Sequence, residues 1–300
     1  ETMRTADYDV RESDPFATKP SIILSGRERS PYVNRIRLMW HAMRVPVAER
    51  FPEAPGLPKD IRTYMQQVDD VYVTDAYHSL SIEGYRVNAE LIQRVRNRSW
   101  NPDNNEEDRE QRNALAARGY YLAYQAVRDS VTRVLKGENP GTVVDETHRT
   151  WYRELFSPGV TAGILQPADL AGYRSDQVYI RRSMHTPPNR DAVRDLMPAL
   201  FDLIKEEPNP AVRVVLGHFM FVYIHPYMDG NGRIGRFLMN IMLAAGGYPW
   251  TVIPVEERNA YMAALEAASV SNDIGPCTDF LATLVRANLE GKPGPGVPVK

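Results

Sequence analysis

The stretch HPYMDGNGRIGR, residues 225–236, lies between two strongly apolar runs, AVRVVLGHFMFVYI at 211–224 and FLMNIMLAA at 237–245. Both runs are too short to span a bilayer and read as core helices. The stretch between them is therefore a connection gripped at both ends by buried elements. Loops held in that way stay rigid, and rigid loops are where sites are built. The residues inside it add an imidazole, a carboxylate, closely spaced glycines and a pair of arginines.

Working outward, the chain reads as mostly helical. Downstream helices are expected at 233–246, 256–271 and 277–289, and upstream ones at 191–206 and 211–224. Thr142 to Phe156 fits another helix, with Thr142 and Asp145 loosely forming a capping box. Asn105 is a candidate N-cap for a long helix ending near Leu135. From Lys59 to Ile82, Ile61, Met65, Val68, Tyr72 and Leu80 recur near helical spacing, and Gly84 supplies a stop. Val33 to Met43 suits a helix, after which Pro46, Pro52, Pro55 and Pro58 predict a loop. Val178 to Ile180 suits a short strand or hairpin. The expected division is an N-terminal arm over 1–58, a helical region over 59–104, a main body over 105–290 and a flexible tail over 291–300.

Composition narrows the function. The chain has 300 residues and a formal net charge of -2, which gives no broad surface for nucleic acid or anionic lipid. No nucleic-acid or membrane partner is expected, and no secretory signal pattern opens the chain. A single cysteine, Cys277, excludes an internal disulfide framework and a multi-cysteine metal site, and makes a reducing cytoplasm the default compartment.

The chemistry of 225–236 points to a phosphate chain. Gly230 and Gly232 let backbone N–H groups converge on an anion, and the helix that follows directs its positive end the same way. Asp229 is the kind of oxygen ligand that Mg²⁺ accepts alongside substrate phosphates and water. Arg233 and Arg236 stand on one helical face and can reach one polyphosphate. His225 can accept a proton near neutral pH.

These residues resemble the signature of the Fic (Fido) family, HxFx(D/E)GNGRxxR, with Tyr227 where the family usually has Phe. Weaker similarity, including Gly172-Tyr173-Arg174, extends over about 105–270. The resemblance implies an all-α, Fic-type helical bundle with a short β-hairpin flap. It also implies protein adenylyl transfer, in which AMP passes from ATP to a Tyr, Thr or Ser hydroxyl of a target protein, the chain itself included. By the same resemblance His225 is the general base and Asp229 holds Mg²⁺. Asn231 and the amides about Gly230 and Gly232 stabilise the α-phosphate, while Arg233 and Arg236 bind the phosphate chain. Gln177, Val178, Tyr179 and Ile180 belong to the flap on which a target segment lies as an added strand.

A second motif, SLSIEG at 79–84, fits the family's inhibitory pattern (S/T)xxxE(G/N). Ser79 and Glu83 share a helix face, and Glu83 sits just before Gly84. The macrodipole disfavours an anion there by roughly 0.3–1 kcal/mol, so a cationic partner is expected. The resemblance names Arg236, which makes the protein one autoinhibited by an N-terminal helix. Removal of AMP from a modified protein, with Glu83 positioning a water, is the alternative reaction. A non-enzymatic nucleotide-sensing regulator is the alternative class. The oligomeric state stays open, with a homodimer among the options.

Overall fold

The computed structural model describes residues 30–97 and 112–298, and every statement below concerns these residues. Among them the regular structure is helical, with no strand assigned. The helices are α1 (Pro31–Arg50), α2 (Ile61–Ile82), α3 (Ala89–Arg96), α4 (Arg112–Leu135), α5 (Pro140–Thr161), α6 (Arg190–Glu206), α7 (Pro210–Ile224), α8 (Asn231–Gly246), α9 (Arg258–Ser271) and α10 (Gly275–Leu289). The all-α expectation holds.

The centre of the bundle is the α7–α8 pair. Nearly every residue of α8 is buried, polar ones included, and α7 exposes little more. A helix apolar on all sides needs neighbours on all sides. Here α4 and α5 cover α8, α1 and α6 flank α7, and α10 and α9 close the far end. One continuous apolar core results.

Local signals set most helix boundaries. Asp60 caps α2 by accepting from the Arg62 N–H at 2.9 Å, and Asn209 caps α7 through the Ala211 N–H. Two expectations need correction. Pro46 does not end α1, which continues to Arg50. A proline in a helix strands the carbonyl four residues earlier, that of Ala42. Ala42 lies on the exposed side, where water can take that role, while Met43 and Val47 are buried and hold the last turns in place. Much of the expected 1–58 arm is thus α1, pinned by Trp40 and Arg44 to Glu207. Helix α5 begins at Pro140, and its cap is Asn139, which accepts from Gly141 and Thr142, so the Thr142–Asp145 capping box is not used. The expected cap at Asn105 lies outside the described residues. Helix α3 lies in the expected helical region over 59–104, where no separate helix was assigned to it.

Helices α4 and α5 make the most extensive contact among the described helices, and Gly119 of α4 lies directly against the backbone of Leu155 on α5. A methyl group there would overlap the Leu155 carbonyl, which is backbone and cannot step aside. We expect Gly119→Ala to destabilise the fold by about 1–3 kcal/mol, as overpacking does. Thermal unfolding of the variant against the parent checks this.

Candidate active site

Helix α7 ends at His225, which takes the left-handed conformation with φ 53 and returns its N–H to the Phe221 carbonyl at 3.0 Å. That turn swings the imidazole out of the helix. Nδ1 lies 3.2 Å from the Val222 carbonyl, so Nδ1 carries the proton and Nε2 is left as the acceptor. Burial, with the charge of Arg174 adding to it, lowers the imidazole pKa against the opposing Val222 hydrogen bond. The ring is therefore neutral near pH 7.

The loop closes on itself through Asn231. Its amide donates to the Tyr227 carbonyl at 2.8 Å and its oxygen accepts the Tyr227 N–H at 2.9 Å. The Asn231 side chain is thus engaged in shaping the loop, which was not foreseen. Gly230 has φ 83, and a Cβ there would press on the ring of Phe156. Gly232 sits so close to Glu83 and Arg236 that any side chain would displace them. Asp229 accepts from the Gly230 N–H at 2.6 Å, yet its side chain is 65% exposed. A single exposed carboxylate suits a cation that keeps most of its water, and no denser cluster of metal-ligating side chains occurs among the described residues. The ring of Tyr227 stacks on Tyr152 at 3.8 Å, and its buried hydroxyl has no hydrogen-bond partner among the described residues.

Arg233 and Arg236 are both buried. The Arg233 guanidinium lies between the rings of Tyr85 and Phe156, at 5.1 and 5.2 Å. Its Nη2 is 3.4 Å from Asp229, and its Nε has no hydrogen-bond partner among the described residues. Arg236 donates from Nε to the Ser79 hydroxyl at 2.9 Å and from Nη2 to the Ser79 carbonyl and to Glu83 Oε1, the last at 2.7 Å. Its Nη1 stays unpartnered. Residues 79–84 and 225–236, far apart in sequence, are therefore joined directly.

Glu83 is the C-cap of α2, and Gly84 turns the chain away with φ 85. Burial raises the Glu83 pKa, but Arg236, then Arg233 and Arg258, outweigh it and hold the carboxyl below its usual range. Arg258 also donates to the Ile82 carbonyl at 2.8 Å, meeting the negative end of α2.

The segment 177–186 reverses direction as a hairpin does, with the Ser183 N–H on the Ile180 carbonyl at 3.1 Å. Its limbs are not paired as strands, contrary to expectation. Side chains close its neck instead. Gln177 donates to the Pro187 carbonyl, Arg190 to Ser175 and Arg174 to Pro188, while Glu266 of α9 accepts from Ser183 and Met184 at the tip. Val178 and Ile180 are half-buried and Tyr179 is 79% exposed.

Residues 143–243, from α5 through most of α8, match the model of the Fic/DOC family. These residues form a Fic/DOC domain. It is 29% identical over 227 residues to a protein adenylyltransferase Fic of Drosophila willistoni, covering 74% of this chain and 41% of that protein. Over 132 residues it is 30% identical to the protein adenylyltransferase fic-1 of Caenorhabditis elegans, covering 43% of this chain and 25% of that one. The chain thus spans between a quarter and two-fifths of the length of these curated relatives. A solved Fic-1 fragment from C. elegans shares the fold, with a TM-score of 0.62 at 20% identity over 86% of this chain and 72% of that one. A Fic family protein from Desulfovibrio desulfuricans G20 does so with a TM-score of 0.57 at 20% identity, over 87% of this chain and 75% of that one.

Around this site, four contributors were not legible in the sequence. Tyr85 and Phe156 sandwich Arg233, Arg258 backs Glu83, and Arg174 grips the backbone at His225. Only Arg174 stood within a noted motif. No helix among the described residues is long and apolar enough to cross a membrane.

The Glu83–Arg236 pair contributes stability with a definite pH dependence. Because the folded pKa of Glu83 lies below the ordinary 4.5, that contribution is complete above the ordinary value and is lost as pH falls through the folded one. In urea unfolding, the advantage of the parent over Glu83→Gln should be largest near neutrality and shrink in acid. An advantage that stays constant down to about pH 3 contradicts the pairing.

Proposed function

We propose that this chain transfers AMP from ATP to a hydroxyl of a target protein and that Glu83 restrains the reaction. The observation that carries this reading is the convergence, about one loop, of an acceptor nitrogen on His225 and the backbone amide of Gly232 with unpartnered donors on Arg233 and Arg236. Such donors, at the N-terminus of α8, suit a phosphate chain. The target hydroxyl oxygen attacks the α-phosphorus. A new O–P bond forms, the bond from Pα to the bridging oxygen breaks, and pyrophosphate departs with that electron pair. Nε2 of His225 takes the hydroxyl proton.

Asp229 would hold Mg²⁺, which supplies charge neutralisation for the phosphates when bound. The loop shaped by Asn231 presents the amides, and catalysis rests on positioning and charge stabilisation. The unpaired backbone of Gln177 to Ile180 suits a target segment added as a strand. Glu83 occupies the Arg236 donors that a terminal phosphate needs, so ATP and Glu83 compete for one guanidinium.

The same ionised Glu83, beside His225, also suits the reverse reaction, in which it would orient a water against an AMP-modified protein. Offering such a protein to the parent chain separates the two directions.

In the forward direction, we expect Glu83→Gly to raise covalent labelling of itself or of an added lysate from α-labelled ATP by at least tenfold, since removal of the competitor frees Arg236. His225→Ala in that background should abolish the label, because no base remains. ATP binding by Glu83→Gly without any covalent label would instead favour a nucleotide sensor.

A further inference from the structure

Arg174 is buried without a carboxylate partner, which is unusual for a guanidinium. It spends its donors on backbone carbonyls alone. Nε donates to His225 at 2.9 Å, Nη1 to Asp176 at 2.9 Å and Nη2 to Pro188, while its own N–H donates to Pro226 at 2.9 Å. These carbonyls belong to different parts of the molecule. His225 and Pro226 form the turn that aims the imidazole, whereas Asp176 and Pro188 stand at the two sides of the neck of the 177–186 segment. The neck contacts from Gln177 and Arg190 do not reach the His225 turn, and His185 of the flap reaches the Tyr223 carbonyl of α7 but not His225 or Pro226.

We propose that Arg174 is a positioning residue that fixes the distance between the flap and the His225 imidazole, and so between the target hydroxyl and its base. This rests on the transfer reading above. A flap without strand pairing has no ladder to set its register, so its placement depends on such side-chain ties. Charge-assisted bonds from one planar fork hold several acceptors in a single geometry, and a small displacement of a reacting group costs rate steeply. Arg174 also puts a cation beside the ring and opposes its protonation. The other groups acting on His225 are Glu83 from the end of α2, which favours the imidazolium, and His185 from the flap, which disfavours it when charged. Positioning and charge thus come from one side chain, and they can be separated.

The test uses Arg174→Lys, which keeps the charge and loses the fork, and Arg174→Gln, which loses both. Each is made in the Glu83→Gly background and checked for parental melting. ATP binding should stay within about twofold of the parent in both, because Arg174 donates to no residue of 229–236. Covalent transfer should fall at least tenfold in both. The acidic limb of the transfer profile should stay put in Arg174→Lys and move to higher pH in Arg174→Gln. The His225 imidazole is titrated in parallel by NMR, with its resonance assigned by comparison with His225→Ala, and should show the same split without any reliance on activity. Parental transfer rates in both variants, or an unchanged imidazole titration in Arg174→Gln, overturn the proposal. If the Glu83→Gly protein transfers nothing, the transfer reading fails while the titration still decides whether Arg174 governs His225.

Discussion

Arg236 is a permanent cation with almost no contact with water, set one turn into the most buried helix of the bundle. An unpaired guanidinium in such a place would cost several kcal/mol. Something must therefore face it, and in this structure α2 does so, with the Ser79 hydroxyl, the Ser79 carbonyl and the Glu83 carboxylate. The requirement reaches further than one pair. It fixes the axial position of α2 against α8, it brings Glu83 within reach of Gly232, and it forbids a side chain at Gly232. A carboxylate at a helix C-terminus is itself unfavourable, and Arg233 and Arg258 offset that second cost.

The rest of the bundle keeps this arrangement dry. Just N-terminal to Ser79 on α2, Asp75 is buried between the Tyr120 hydroxyl and the Trp250 indole, and its pKa is pushed up to about 6 by burial. Helix α4 and the segment that follows α8 thus meet α2 through polar contacts as well as apolar ones. His218 of α7 bonds the Gly235 carbonyl and the Tyr261 hydroxyl, and burial drives it to about 4, so it stays neutral beside Arg236. Asp75 and His218 are each satisfied by named partners, as polar groups in a core generally are.

How far this could be read beforehand depended on whether the information was local. Helices α7 and α8 announce themselves by uninterrupted apolar runs, and the turn between them by its glycines. Ser79 and Glu83 were legible because they sit one turn apart before a glycine, and their anion at a helix end called for a cation. Pro46 misled because proline's cost is paid locally while its compensation, the burial of Met43 and Val47, is tertiary. The neck of 177–186 misled for a similar reason, since the short run Val178 to Ile180 between polar residues suggests a strand but cannot say that side chains will replace the ladder. Tyr85, Phe156 and Arg258 carry no local pattern at all. Their roles exist only once α2, α5 and α9 have been brought around one guanidinium.

The sharing of Arg236 makes the two sides of the switch unequal under mutation. If the arginine is needed both by the restraint and by the nucleotide, then a change at Arg236 removes restraint and reaction together. A change on α2 removes the restraint alone. On the proposed reading, damage at Arg236 therefore yields a silent protein, and an unrestrained one arises from positions that hold Glu83 in place, on α2 and at Arg258 of α9. Control of such a protein in its setting would accordingly act on α2, whose end is held by Glu83, Arg258 and the Ser79 contacts, and leave the α7–α8 core undisturbed.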